Sequence, residues 1–156
     1  MSRFAIIGFG CAGYNALRAI RESGSEAEVD VYSTFPHPPA NPMLTTYYVK
    51  GKIPYEAMFP YGTAEEILAK YPCNLHSGVG ITALDAARRE LTLTTGEKKQ
   101  YDKILIATGA NAVNLPVGDI PADRIFTMRT VHDAERLKEA LDQRPIHSAL
   151  VVGASM

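Results

Sequence analysis

Apolar and polar positions along this chain follow a helix period in some stretches and a strand pattern in others. Phe4-Ala5-Ile6-Ile7 is a short unbroken apolar run closed by Gly8, which predicts a strand buried on both faces of a parallel sheet. From Ala12 to Glu22 the residues Ala16, Leu17, Ala19 and Ile20 recur at helical spacing, and Ser23-Gly24 ends the helix. Glu28 to Tyr32, carrying Val29 and Val31, predicts the next strand. Together these make a βαβ unit of about thirty residues, with a right-handed crossover expected.

Further along, residues Phe35 to Pro42 hold four prolines and predict an extended loop, with a short helix or turn at Leu44–Val49. Thr63-Ala64-Glu65-Glu66 is a capping-box pattern opening a helix to about Tyr71, and Cys73–His76 is a weaker strand candidate. Val79–Leu84, Glu90–Thr94 and Gln100–Tyr101 alternate and are joined by turns, Gly96 among them, which predicts an antiparallel meander. Lys103–Ala107 is a second continuous apolar run, ending in Thr108-Gly109. Thr130-x-x-Asp133 caps a last helix striped by Val131, Ala134, Leu137 and Leu141. Arg144-Pro145 breaks it, Ser148–Val152 predicts a new strand, and the main candidate boundary falls at Gln143–His147.

Composition narrows the classes without choosing among them. The chain has 156 residues, 46% hydrophobic and 21% charged, which suits a globular domain with its own core. A net charge of −1 without a basic run argues against nucleic acid or an anionic membrane as partner. No apolar stretch reaches the roughly 18 residues of a membrane span, and Phe4 already opens a strand, leaving no room for a signal peptide. Cys11 and Cys73 are isolated from one another, so a disulfide framework is not expected and a cytoplasmic location is. His37, His76, His132 and His147 lack ligand-like spacing, so no metal site is expected.

The chemistry is carried by Gly8-Phe9-Gly10-Cys11-Ala12-Gly13, between the first strand and the first helix. In such a turn the first glycine permits the tight bend, the second lets a pyrophosphate approach the backbone, and the third lets helix and strand pack closely. The helix N-terminus then offers N–H groups and a positive dipole end to the phosphates. A following strand completes the context that a bare glycine pattern lacks, so the turn predicts dinucleotide binding. An acidic residue about twenty positions on usually holds the ribose hydroxyls. Ser33 stands there, able to hydrogen-bond but carrying no charge, and Asp30 lies inside the strand. Cys11, at a helix N-terminus, reads chiefly as a small residue tolerated beneath the pyrophosphate.

Tyr101-Asp102-Lys103-Ile104-Leu105-Ile106-Ala107-Thr108-Gly109-Ala110, the opening fingerprint and the closing Val151-Val152-Gly153-Ala154-Ser155 come in a telling order. Together they resemble the pyridine nucleotide-disulfide oxidoreductase family, FAD-dependent and linked to NAD(P)H. The resemblance implies an α/β, Rossmann-like FAD-binding domain, with a parallel sheet in the order 3-2-1-4 and a β-meander, truncated at the start of a second Rossmann domain. It implies an FAD domain at 1–147, lacking its C-terminal strand, and the first strand and turn of an NAD(P)-binding domain at 148–156. Gly8, Phe9, Gly10, Cys11, Ala12 and Gly13 would then meet FAD, with Ser33 and Asn41 beside it. Ala107, Thr108 and Gly109 would pass close to it, the Ile81 backbone would meet the adenine, and Arg129 in Thr127-Met128-Arg129-Thr130 would contact it.

Branches of that family differ in what stands beside the flavin. Glutathione-reductase-like enzymes carry a cysteine pair and coenzyme A-disulfide reductase-like enzymes a single cysteine, whereas this chain has none between Ala12 and Pro72. Aligning Tyr47-Tyr48 with the tyrosine pair of the single-cysteine enzymes puts Met43 at the cysteine position, and a thioether cannot become a thiolate. Asn41-Pro42-Met43-Leu44-Thr45-Thr46 resembles instead the ferredoxin- and rubredoxin-reductase branch, or the flavin part of the nitrite reductase large subunit. Many of those proteins carry a cation where Asn41 and Thr46 stand.

The expected parent is an oxidoreductase moving electrons from NAD(P)H through FAD to an unidentified acceptor, a redox protein or a small molecule. The 156 residues alone are expected to be inactive, their nicotinamide site being absent. Two readings compete: a free-standing nucleotide-binding module or subunit, and a first turn that binds NAD and not FAD. The apolar strand Lys103–Ala107 would be a bare sheet edge, so homo-oligomerisation through it is expected.

Overall fold

The computed structural model describes residues 1–113, 115–143 and 145–153. The elements are β1 (Arg3–Ile7), α1 (Cys11–Glu22), β2 (Glu28–Ser33), α2 (Thr45–Val49), α3 (Ala64–Lys70), β3 (Asn74–Ser77), β4 (Ile81–Asp85), β5 (Glu90–Leu93), β6 (Lys98–Gln100), β7 (Lys103–Ile106) and α4 (Val131–Gln143). β1, β2, β3 and β7 form a parallel sheet ordered β3-β2-β1-β7, and β4, β5 and β6 form an antiparallel sheet. This is the predicted Rossmann-like order with its meander.

The chain divides into two compact units, Met1–Asn41 with Phe59–Ala110, and Pro42–Met58 with Asn111–Met156. In the first unit, β1 sits between β2 and β7, with Ala5 opposite both Asp30 and Ile104. One core cluster lies on the α1 side, built from Ile6, Phe9, Tyr14, Leu17, Val29, Val31, Ile67 and Tyr71. Another joins sheet to meander through Ala5, Tyr32, Leu91, Leu93 and Tyr101. The capping box at Thr63 forms as predicted, with Thr63 and Glu66 each accepting the other's backbone N–H.

In the second unit α2 packs against α4, and Met58, Val131 and Ala134 are buried. The cap predicted at Thr130 is also present: Asp133 N donates to Thr130 Oγ1, and the Asp133 carboxylate accepts Thr130 N and Arg129 N. The predicted stripe on α4 fades toward the C-terminus, where Leu141 is exposed.

The strand predicted at Ser148–Val152 does not form among the described residues; Leu150, Val151 and Val152 are exposed. An apolar run becomes a strand only where a neighbour receives its N–H and C=O groups. Arg144 and residues 154–156, on which the predicted break and final turn partly rest, lie outside the described residues. No helix among the described residues is long and apolar enough to cross a membrane.

A buried carboxylate ties the first unit together. Asp30, on β2, is only 2% exposed. It accepts hydrogen bonds from Tyr101 Oη at 2.7 Å, His76 Nε2 at 3.0 Å and Asn74 Nδ2 at 3.1 Å, with Arg3 Nη2 at 3.5 Å. Tyr101 spends its only proton on Asp30, so Tyr32 Oη must be the donor in the Tyr32–Tyr101 hydrogen bond. Tyr32 also stacks on the His76 ring, with centroids 4.6 Å apart. Burial raises the Asp30 pKa, but the hydrogen bonds from His76, Tyr101 and Asn74 outweigh it and hold the group below the ordinary carboxylate range. Burial, with its bonds to Tyr32 and Asp30, drives the Tyr101 phenol far above its usual value.

The folded pKa of Asp30 is depressed below its unfolded value, so its stability contribution is present above the unfolded pKa of about 3.9 and lost as pH falls through the folded one. Asp30→Asn is expected to lower stability near neutral pH by about 1–3 kcal/mol, because partners of a buried charge are left mismatched. Thermal melts against pH should show a steep acid limb for the wild type and a flatter one for the variant. Identical acid limbs would remove Asp30 from the acid response.

Candidate functional site

The predicted glycine turn, the end of β2, the start of β4 and the Ala107-Thr108-Gly109 turn are all drawn to the carboxyl edge of the parallel sheet. β1 leads into Gly8, whose N–H donates to the Tyr32 carbonyl at 2.8 Å, and Ala107 N donates to the Ile7 carbonyl at 2.8 Å. At the end of β2, Ser33 O accepts Val79 N at 3.1 Å, so the segment entering β4 is fastened beside it. Gly80 packs close by, where a Cβ would sit 3.0 Å from the Thr34 methyl. β1 lies where the chain leaves to β2 on one side and to β7 on the other, the switch point at which open α/β sheets form a binding crevice.

The three glycines of the turn have separable reasons. Gly8 has φ +107°, and a Cβ there would lie 2.3 Å from the Ala107 carbonyl oxygen. A Cβ on Gly13 would lie 2.0 Å from the Gly8 carbonyl oxygen. Both must be glycine for the fold itself. Gly10 is different: φ is −86° and an added Cβ would have nothing within 4 Å. The fold leaves Gly10 free to carry a side chain, so the space above it suits something that is not protein.

That space lies at the N-terminus of α1. Gly10 is the N-cap, no side chain caps the helix, and its first turn has no acidic residue. The leading N–H groups of an α-helix have no intrahelical partner, and the dipole adds a positive end. An uncapped, acid-free helix start under an open glycine suits a phosphate group. The residues present therefore fit the pyrophosphate of a dinucleotide such as FAD.

Other predicted site residues are placed with mixed results. The Phe9 side chain is 5% exposed and belongs to the α1-side core, so only its backbone borders the turn. Cys11 is exposed, with Sγ 3.1 Å from Tyr61 Oη and Asn15 Nδ2 at 3.5 Å, and Ala12 is exposed beside it. Ser33 is 8% exposed, and its hydroxyl donates to Phe35 O at 2.9 Å while accepting Phe35 N at 3.3 Å. The serine closes its own turn with the lone pair and proton that a ribose would use. Ile81 begins β4 opposite Leu93, and Asn41 is half-buried at the end of the proline loop. Thr108 and Gly109 are exposed and Ala107 is half-buried. Arg129 belongs to the second unit, where its backbone N–H helps cap α4.

Some roles had no visible signal in the sequence. Asp30 reads there as an acidic residue out of place, yet it is the hub beneath the site. Tyr61 is distant in sequence, but it stacks on Tyr14 at 4.3 Å and reaches Cys11. Cys73 packs beside the core; burial pushes its thiol up to about 11, with Arg21 opposing and Asp30 adding. It is a filler and not a nucleophile.

The glycine assignments separate in substitution experiments. Gly10→Val should abolish dinucleotide binding measured by calorimetry while leaving the far-UV melt close to wild type. Gly13→Val should lower or abolish the cooperative melt itself. A Gly10→Val protein that binds as well as wild type would show that nothing occupies the space above residue 10.

Comparison with known proteins agrees with this geometry. The model of the pyridine nucleotide-disulphide oxidoreductase family matches residues 2–156. The covalent putidaredoxin reductase–putidaredoxin complex is similar in structure, with TM-score 0.79, 27% identity, and coverage of 90% of this chain and 34% of that one. Fdr9 has TM-score 0.73 and 32% identity, with coverage of 89% and 33%. The water-forming NADH oxidase from Lactobacillus brevis, solved with NADH, has TM-score 0.81 over 92% of this chain and 33% of that one; at 22% identity it speaks to the fold alone. The chain thus spans about a third of the length of these proteins. With a family model matched along almost its whole length and the fold to go with it, the chain belongs to the pyridine nucleotide-disulphide oxidoreductase family.

Proposed function

We propose that this chain is the FAD-binding portion of an NAD(P)H-dependent oxidoreductase that passes electrons to an acceptor. The observation that carries the reading is an uncapped, acid-free helix start at which Gly10, unlike Gly8 and Gly13, is a glycine that the packing of the fold does not require. The N–H groups of Cys11, Ala12 and Gly13 hold the pyrophosphate, aided by the α1 dipole. The end of β2 and the Val79–Ile81 segment border the adenosine end. The Ala107-Thr108-Gly109 turn lines the path toward the isoalloxazine, with Asn41 as a further contact. Bound FAD would supply the hydride-accepting and electron-donating chemistry, which no side chain of this protein provides.

Residues 1–147 would form the FAD-binding domain and 148–156 the entry to an NAD(P)H-binding domain. Met43, at the position of the single cysteine in the coenzyme A-disulfide reductase-like enzymes, is 75% exposed and cannot form a thiolate. Electrons therefore leave without a protein thiol beside the flavin. This favours a ferredoxin- or rubredoxin-type redox protein, or a small-molecule acceptor, over a disulfide. The putidaredoxin complex of a related protein is compatible with a protein acceptor. Two unpaired cysteines suit the reducing cytoplasm.

The purified 156-residue chain should bind FAD, read as a flavin absorbance that travels with the protein. Mixed with NADH in a stopped-flow instrument, it should not bleach that absorbance. Rapid bleaching would place a working nicotinamide site within these residues and overturn the proposed division.

β7 is the outer strand of its sheet, and Leu105 and Ile106 on it are 43% and 60% exposed. An apolar edge of this kind recruits another strand. We expect the isolated chain to self-associate through it, and Leu105→Lys to reduce the association in light scattering. A strictly monomeric wild type at high concentration would refute that expectation.

A further inference from the structure

The loop after β2 holds a feature that the glycine turn does not account for. Phe35 is 42% exposed, yet its ring is stacked on His37, with centroids 5.3 Å apart and planes 15° from parallel. His37 in turn packs against Phe59 at 5.7 Å and 39°. The backbone of Phe35 is pinned at the carboxyl ends of β2 and β3. Its carbonyl accepts from Ser33 Oγ at 2.9 Å and Ser77 Oγ at 3.5 Å, and its N–H donates to Ser33 Oγ at 3.3 Å.

His37 is held between the two rings with one of its nitrogens bonded and the other not. Its Nδ1 lies 2.9 Å from the Pro38 carbonyl, which can only accept, so Nδ1 carries the proton. The other nitrogen, Nε2, is buried with no hydrogen-bond partner among the described residues. Leaving a buried polar atom unpaired is costly. The loop accepts that cost in keeping the imidazole between two phenyl rings, so the ring stack is part of the fold without any ligand.

In a βαβ dinucleotide site the pyrophosphate lies at the helix N-terminus and the ribose over the end of the second strand, which puts the base beyond the ribose. Here the residue at the ribose position, Ser33, has its hydroxyl engaged with Phe35. We infer that Phe35, backed by His37 and Phe59, is a stacking platform for the adenine ring of the bound dinucleotide, and that base stacking replaces the missing ribose carboxylate as the grip on the adenosine end. The inference rests on the dinucleotide reading of the glycine turn. The ligand chemistry is the ADP moiety, which FAD and NAD share.

Binding of FAD, NAD⁺, ADP and FMN to the 156-residue protein by calorimetry tests it. Phe35→Ala and Phe35→Leu should both weaken FAD and ADP binding by about 5- to 150-fold, the usual worth of one base–aromatic stack. Phe35→Tyr should stay near wild type, and FMN, which has no adenine, should not distinguish the variants. Leucine keeps the apolar bulk without the π-face, so it decides the matter even if the alanine variant folds poorly. Wild-type binding of FAD and ADP that is unchanged in Phe35→Leu overturns the platform and leaves the FAD reading standing. A wild type that binds none of the adenine nucleotides overturns both. Binding of NAD⁺ but not FAD, weakened by Phe35→Leu, supports the platform and overturns the choice of FAD.

Discussion

Backbone meets backbone at the mouth of the sheet with no room for a side chain. Gly8 lies against the Ala107 carbonyl on one side, and Gly13 lies against the carbonyl of Gly8 itself. These two contacts set how closely α1 approaches β1 and how closely the turn after β7 approaches the turn after β1. A single Cβ at either position would drive these segments apart. Everything proposed for the site depends on that spacing, because it sets the uncapped start of α1 directly after the turn. The same pattern of three glycines therefore holds two that the protein's own packing requires and one, Gly10, that it does not.

Beneath the site, Asp30 supplies a second constraint of a different nature. An ionised carboxylate at 2% exposure is expensive unless its lone pairs are filled. Tyr101, His76 and Asn74 fill them, drawing β3 and the chain between β6 and β7 toward β2. Hydrophobic packing alone would hold these elements together less specifically, since apolar contacts carry little directional information. The tyrosine pair and the Tyr32–His76 stack then seat the meander against the parallel sheet. A polar hub thus fixes the register of segments whose ends border the proposed adenosine site.

Much of this was legible in the chain. The continuous apolar runs at Phe4–Ile7 and Lys103–Ala107 mark parallel strands, the first lying inside the sheet and the second at its exposed edge, and caps form at Thr63 and Thr130. Alternation marked the meander, although its last strand begins at Lys98 and not at Gln100. Long-range contacts decide what the local pattern leaves open. The segment Ser148–Val152 has the composition of a strand, but a strand needs a partner. Phe9 sits inside the fingerprint, yet its apolar ring goes to the core. Ser33 occupies the ribose position, yet its hydroxyl is spent on the following turn.

Local elements, their order and the glycine-rich turn between β1 and α1 follow from the sequence, because periodicity, caps and glycine spacing act over a few residues. Which glycines leave no room for a Cβ, which carboxylate is buried and which aromatic rings stack emerge with the folded chain. Those properties depend on contacts between residues far apart in the chain: Gly8 with Ala107, Asp30 with Tyr101, His37 with Phe59. No local pattern encodes such pairs, since each partner looks ordinary until the fold brings them together.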